Sequence, residues 1–369
     1  ITPRLIITGC MAERIRDDLL ETGIVDSVFG TAEKHLIPGR LTEEFPSENN
    51  DLINAASSYR FFDFHQLRSD TTRSFVPIMN GCDNFCSYCI VPYVRGRETS
   101  RPVHEIFREI ETLDREGFSE ITLLGQNVNS YSYRKKDIRY DFADLLEAIS
   151  GKVDSIKWIR FLTSHPKNFS EKIVRVLSSS NRFCRYIHLP VQNGSDRILK
   201  EMNRQYDSAY YLELLEMIRS CMPDVSISTD LLVGFPGETE DDMNRTIDLM
   251  EKARFLEAFM YYYNPREGTP AAKREGQIAD KEKLDRLSRI IAVQKRITKE
   301  EKARKIGTIV TALGETVSKK SSSEILGRTE HNDMIVYPGN ESMIGTFATV
   351  RIEALAGNTF IGTRDFTCR

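Results

Sequence analysis

The chain has 369 residues, 40% of them hydrophobic and 28% charged, with a formal net charge of -3. That length suggests two or three domains in a soluble globular protein; no apolar run approaches the ~20 residues of a membrane helix, and no signal peptide is recognisable. The charge balance argues against indiscriminate nucleic-acid binding without excluding a local basic surface, and seven cysteines, an odd number in a long chain, point to a reduced, cytoplasmic compartment rather than a disulfide framework.

Ile1-Thr2-Pro3 runs straight into an apolar stretch with no initiator methionine, so the chain is expected to lack its natural start. A strand over 5–8, a turn at Gly9-Cys10, a helix over 12–20 and a strand over 27–29 predict one βαβ unit, too little to bury a core alone. Residues 42–58, with Pro46 followed by Ser47-Glu48-Asn49-Asn50-Asp51, read as a polar linker. From about Ser74 the pattern turns regular. Strands are predicted over 75–79, 120–124, 156–162, 186–189, 225–233 and 258–263, and helices near 102–116, 141–150, 170–178, 207–220 and 239–253. Strands alternating with helices predict a parallel α/β sheet curled into a partial barrel.

The first of those strands runs into Gly81-Cys82-Asp83-Asn84-Phe85-Cys86-Ser87-Tyr88-Cys89. Three thiolates on one loop can hold three corners of a [4Fe-4S] cube and leave the fourth iron open. A structural zinc wants a fourth ligand at a familiar spacing, and the nearest histidines, His65 and His104, lie well outside the run. Incidental buried thiols are the third alternative. Every later strand also ends in polar or backbone-permissive residues: Gly125-Gln126-Asn127, Thr163-Ser164-His165-Pro166, then Pro190 to Asp196. Asp230 lies inside the fifth strand, which ends in Gly234-Phe235-Pro236-Gly237-Glu238, and the sixth ends in Asn264-Pro265-Arg266-Glu267. Each alone is what a turn needs; together they load the C-terminal strand ends, where α/β barrels carry their reactive face.

A long helix is predicted over 281–305, with Leu284, Leu287, Ile290, Ile291 and Ile297 on one face. It carries ten Lys/Arg against four Asp/Glu, which fits a solvated basic face or a phosphate-tracking surface. The last segment predicts strands over 308–313, 334–337, 347–354 and 359–363, a small antiparallel barrel of a kind that binds oligonucleotides.

Cys-x3-Cys-x2-Cys with Tyr88 before the third cysteine resembles the radical S-adenosylmethionine (SAM) enzymes. The run from Gly81 to Glu98 is similar to their methylthiotransferases, as are Leu123 to Tyr131, His188 to Asp196 followed by Met202-Asn203-Arg204, Ser228 to Thr239, and Gly268-Thr269-Pro270-Ala271-Ala272. Ser318-Lys319-Lys320 and Gly327-Arg328-Thr329-Glu330 resemble the TRAM module, a small RNA-binding β-barrel. The resemblance is nearest to the branch that methylthiolates C2 of N6-isopentenyladenosine-37 in tRNA; the branches acting on N6-threonylcarbamoyladenosine-37 or on a ribosomal-protein side chain are the alternatives.

The resemblance implies an α/β fold: the end of an N-terminal α/β domain plus linker over 1–57, a partial parallel (β/α)6 radical SAM barrel with its trailing basic helix over 58–303, and an all-β TRAM barrel over 304–369. It implies two [4Fe-4S] clusters and SAM. One cluster takes Cys82, Cys86 and Cys89; the second takes Cys10, in Gly9-Cys10-Met11-Ala12-Glu13, with two cysteines absent from this sequence, so the chain as it stands is expected to be incompetent for sulfur insertion. SAM is expected across the strand ends, at Gly125, Gln126 and Asn127, with Ser164, Gln192 and Asp230 as further contacts. Lys319, Lys320 and Arg328 are expected at RNA phosphates. The partners implied are the anticodon stem-loop of isopentenylated tRNA and an electron donor such as flavodoxin or ferredoxin, with the enzyme a monomer. Cys184, Cys221 and Cys368 match no ligand motif and read as packing or surface thiols. No acid–base residue is assigned, because an aromatic C–H has no acidic proton for a base to remove, and the base is expected to be splayed out of its stack. An RNA-binding iron–sulfur protein without catalysis is the competing reading from another class.

Overall fold

The computed structural model describes residues 4–31, 33–37, 72–136 and 138–364; the linker expected over 42–58 and Cys368 lie outside them. At the N-terminus Ile6–Thr8 pairs in parallel with Ser27–Phe29. The single helix expected between them is two, Cys10–Arg14 and Arg16–Glu21, because Ile15 leaves helical geometry at φ -119°.

Six parallel strands follow in chain order, in two three-stranded sheets. Arg73–Pro77, Glu120–Leu124 and Trp158–Phe161 form the first, and Tyr186–His188, Ser226–Val233 and Glu257–Tyr262 the second. An isolated parallel bridge, Ile159 to Phe183, links the first sheet to the chain leading into the second. Residues such as Ile121, Leu123, Ile159, Ile187, Ile227 and Leu231 are buried, as parallel strands require when helices cover them. The covering helices are Val103–Arg115, Phe142–Ser150, Glu171–Ser179, Ser208–Cys221 and Glu240–Ala253. Each lays an apolar stripe at helical spacing on the sheet, for example Ile106, Ile110 and Leu113, or Leu145, Leu146 and Ile149. Asp141 and Thr239 open two of them with reciprocal capping boxes to Asp144 and Asp242, each cap worth about 1 kcal/mol.

The helix Asp280–Arg304 packs along the last strand. Its buried face differs from the expected apolar stripe: Ile290 and Ile297 are buried, but so are Lys283, Arg286, Gln294 and Lys302, while Leu284 is 52% exposed. Long cationic side chains bury their stems and carry their heads to acceptors. Arg286 Nη1 reaches Glu238 Oε1 at 2.7 Å, and Arg289 pairs with Glu240. Lys302 and Lys305 meet Asp333 at 3.2 and 2.7 Å. The helix is therefore a strut between modules, with much of its positive charge already matched.

Ile309–Val317, Glu324–Thr329, Met334–Pro338, Phe347–Ala356 and Thr359–Arg364 close a five-stranded barrel around Val310, Ile325, Ile335, Tyr337, Val350 and Phe360. Register shifts at Gly314/Thr316 and Ile352/Ala354 give the bends that closure of a small barrel needs. Glu324–Thr329 is a strand beyond those expected.

This barrel sits against the N-terminal ends of the parallel strands. Arg73 Nη1 contacts Glu315 Oε1 at 2.6 Å, and Arg160 Nε contacts Glu120 Oε2 at 2.9 Å. Arg160 also donates to the carbonyls of Thr329 and Glu330, and Trp158 meets Phe347 edge-on at 4.9 Å. Arg328 corrects an expectation. Instead of facing RNA, it bridges Glu120 Oε1 at 2.7 Å and Glu315 Oε1 at 2.8 Å and donates to Asn332 Oδ1 at 3.2 Å. Its donors are engaged inside the protein because its strand faces the floor of the larger barrel.

Candidate functional site

The cysteine loop hangs from the other end of the parallel strands. Met79–Asn80 pairs antiparallel with Thr99–Ser100 and pinches the loop at its base. Gly81 has φ +80°, and a Cβ there would lie 2.1 Å from the carbonyl oxygen of Arg97, so only glycine lets the two ends meet. Phe85 takes a left-handed φ of 47°, a costly conformation outside glycine. It is held there by Asn203 Nδ2, which donates to the carbonyls of Asn84 and Phe85, and by Tyr93 and the Arg97 guanidinium packed on its ring.

Cys86 is buried, and Cys82 and Cys89 are half-buried. Burial pushes the Cys82 thiol up against a backbone hydrogen bond from Asn84, and the neighbouring Cys86 adds to the rise. Cys89, by burial first, is pushed up to about 11. Crowded thiolates in this loop therefore need a compensating cation. Among the described residues no three His, Cys, Asp or Glu side chains gather around a point that one metal ion could occupy. A four-iron cube takes ligands that stand further apart than those of a single ion. Two N–H donors already address the sulfurs: Asn84 Nδ2 to Cys82 Sγ at 3.4 Å and Arg204 Nη1 to Cys86 Sγ at 3.3 Å. The three thiols and the N–H groups around them both fit an iron–sulfur cluster.

The remaining strand ends surround this loop. Gln126 Oε1 accepts from the Gly81 backbone at 2.7 Å, and Asn127 Nδ2 donates to Glu98 Oε1 at 3.0 Å. A Cβ at Gly125 would lie 2.4 Å from Met79 Cγ and displace that buried side chain. Ser164 Oγ and Asn127 Oδ1, at these strand ends, are buried without a hydrogen-bond partner in the protein, so both have capacity left for a ligand. Gln192, at φ 75°, is clasped by Asp230 and Leu232 backbone hydrogen bonds. Gln192 and Asp230 line a cavity of about 500 Å³ with Tyr88, Tyr261, Asn264 and Arg266. His188 Nε2 stands 3.5 Å from Asp230 Oδ1. His165 is held neutral by burial and then by Arg204 and Lys167, down to about 2, so it is no general acid at neutral pH.

The expected residues thus fall into connected groups at one barrel mouth. Gly125, Gln126 and Asn127 lie against the cysteine loop, Gln192 and Asp230 line the cavity beside Tyr88, and Ser164 contributes an unpaired hydroxyl. Cys10 is half-buried at the start of its helix, which packs on Val91–Arg95, just beyond Cys89; Thr31 Oγ1 also donates to the carbonyl of Val94 at 2.7 Å. Lys319 and Lys320 are exposed in the turn between two strands of the small barrel, remote in topology from this mouth. Of Cys184 and Cys221, the first is buried and the second exposed. Sequence reasoning gives no role to Asn84, Asn203 and Arg204, although Met202-Asn203-Arg204 stands out as a motif.

The radical SAM superfamily model matches residues 76–250 and the TRAM domain model residues 303–363. A tRNA-2-methylthio-N(6)-dimethylallyladenosine synthase of Treponema denticola is 45% identical over 375 residues, covering 96% of this chain and 83% of the relative. Proteins of the same name from Thermoanaerobacter pseudethanolicus and Phocaeicola vulgatus are 42% and 39% identical, covering 95% and 98% of this chain and 75% and 79% of their own. Among solved structures, coproporphyrinogen III oxidase of Escherichia coli, described as a radical SAM enzyme, is 15% identical with a TM-score of 0.46 over 82% of this chain and 74% of that one.

Proposed function

From the premise that the chain belongs to the tRNA-2-methylthio-N(6)-dimethylallyladenosine synthase family of radical SAM enzymes, we propose that it methylthiolates C2 of N6-isopentenyladenosine-37 in tRNA. The observation that carries the reading is the barrel mouth, where three thiols on one loop, two N–H donors aimed at their sulfurs and buried unpaired polar atoms meet beside a cavity. When bound, a [4Fe-4S] cluster and SAM supply radical chemistry able to act on an unactivated C–H, beyond the 10²–10⁴-fold (roughly) of acid–base catalysis.

Each group of residues has its task. Cys82, Cys86 and Cys89 hold the cluster. The Gly125-Gln126-Asn127 turn receives the amino end of SAM, Ser164 Oγ and Asn127 Oδ1 offer it hydrogen bonds, and Gln192 and Asp230 form the cavity wall. Cys10, on a helix packed beside that loop, is one ligand of a second cluster whose other two cysteines are not in this sequence. Lys319 and Lys320 hold tRNA backbone. An electron donor such as flavodoxin or ferredoxin, a monomeric state and a cytoplasmic location complete the proposal; among the described residues no helix is long and apolar enough to cross a membrane.

The test is anaerobic reconstitution with iron and sulfide, then SAM and a reductant. Release of 5′-deoxyadenosine is expected, and its absence from iron-loaded protein sinks the enzymatic reading in favour of a binding protein. With the second cluster completed, a methylthio mass increment is expected in isopentenylated tRNA. The same increment in threonylcarbamoylated tRNA or a ribosomal protein instead overturns the substrate assignment.

A further inference from the structure

Arg204 is a buried cation. It is 4% exposed. Its Nε donates to the Tyr206 hydroxyl at 2.8 Å, Nη2 to the carbonyl of Pro190 at 2.8 Å, and Nη1 to Cys86 Sγ at 3.3 Å. No carboxylate of the described residues pairs with it. The other deeply buried arginines differ: Arg286 is matched by Glu238 and Arg160 by Glu120. A guanidinium stays charged at any accessible pH, and burying one among neutral acceptors is unfavourable unless an anion compensates it. Of its three partners, only the Cys86 sulfur becomes an anion in ordinary function, when it ligates iron.

We propose that Arg204 is the counter-ion of the cluster loop and raises the reduction potential of the cluster through its hydrogen bond to Cys86. This rests on the reading of Cys82, Cys86 and Cys89 as cluster ligands. Reduction transfers one electron from an external one-electron donor onto the cluster, with no proton, and makes the thiolate-ligated group one unit more negative. A fixed positive charge at hydrogen-bond distance from a ligand sulfur favours that reduced form over the oxidised one, because the interaction acts in a dry, low-dielectric site. The same side chain ties Cys86 to Pro190, at the end of the fourth strand, so the charge is aimed by the strand that also carries Gln192 into the cavity. Arg204 is a positioning residue: it acts through a cluster ligand.

The experiment is a redox titration of the reconstituted chain followed by electron paramagnetic resonance. Arg204→Gln should lower the ratio of reduced to oxidised cluster at a fixed potential about tenfold, or ~59 mV for one electron. Tyr206→Phe removes a structural partner of Arg204 but no charge, and should leave the potential where it was. An unmoved potential in iron-replete Arg204→Gln, or an equal shift in Tyr206→Phe, overturns the proposal. Should Arg204→Gln not hold a cluster, the wild-type protein labelled with 15N-arginine decides. A nitrogen coupling to the reduced cluster is expected, and its absence rejects the contact. Failure of the underlying reading is distinct, since it shows as missing iron in the wild-type protein.

Discussion

The thiols of the Cys82–Cys86–Cys89 loop do not share one surrounding: an amide addresses half-buried Cys82 and a guanidinium addresses buried Cys86. Replacing any one by Ala should abolish both visible cluster absorption and SAM cleavage; a triple variant that still binds about four irons at this loop refutes the site. Ser164 supplies a sharper test. Its hydroxyl is buried and unpaired, so Ser164→Ala should leave Tm unchanged or slightly raised. If SAM takes that hydrogen bond, worth about 0.5–1.5 kcal/mol, the Kd for SAM should rise roughly two- to twelvefold; an unaltered Kd by calorimetry removes Ser164 from the site. The three cysteines are legible in the sequence because their spacing alone carries the chemistry. Arg204 is not, because it lies 118 positions from Cys86 and only folding brings them together. Arg328 misleads for a related reason: a short basic signature looks the same whether its partner is a phosphate or a buried glutamate.

Among the elements, strands with apolar runs bounded by turn residues are readable close to their true limits, as at Glu120–Leu124 and Ser226–Val233. Glu324–Thr329 is hidden because its alternation places Ile325, Gly327 and Thr329 inward and Glu324, Leu326 and Arg328 on the other face, and glycine and threonine do not announce a core. The division into two sheets is also invisible, since sequence period says nothing about which neighbours pair. The helix Asp280–Arg304 looks like a basic surface and is a strut because carboxylates from other elements meet it. Arg286→Met should therefore act on stability rather than RNA affinity. It strands Glu238, whose side chain is fully buried, and breaking such a pair costs roughly 3–5 kcal/mol. Thermal unfolding measures it; a Tm within a degree of the parent contradicts the strut.

For the whole molecule, mouth and floor of one barrel carry different modules: the N-terminal unit lies beside the cysteine loop and the small barrel lies under the strand starts. The sole tryptophan, Trp158, is buried in the lower seam against Phe347 and reports on docking. Glu120 in that seam would be raised by burial, but Arg160 and Arg328 outweigh this and hold it below the usual carboxylate range. A depressed folded-state value gives stability that is fully present above the unfolded value and is lost as pH falls through the folded one. Trp158 emission should thus stay constant from neutral pH to below the ordinary glutamate range, then shift red; Glu120→Gln should shift it red already at neutral pH. A spectrum indifferent to both changes means the seam does not depend on Glu120. Neutralising Lys319 and Lys320 should weaken tRNA binding alike for all cognate tRNAs and flatten the salt dependence by roughly 0.7–0.9 log units for each phosphate no longer neutralised, while deoxyadenosine release without tRNA stays put. Unchanged binding returns both lysines to plain surface.

The lower seam is built of alternating charges, Arg73, Glu315, Arg328, Glu120 and Arg160, around one small apolar patch of Trp158, Cys184, Leu313 and Phe347. Two faces of that kind do not cling to strangers when parted: the ions rehydrate, and little greasy surface remains to nucleate aggregation. Because Arg160, Glu120 and Arg328 are themselves buried in the seam, added salt screens them little, and acid, which protonates Glu120, is the agent expected to part the two modules.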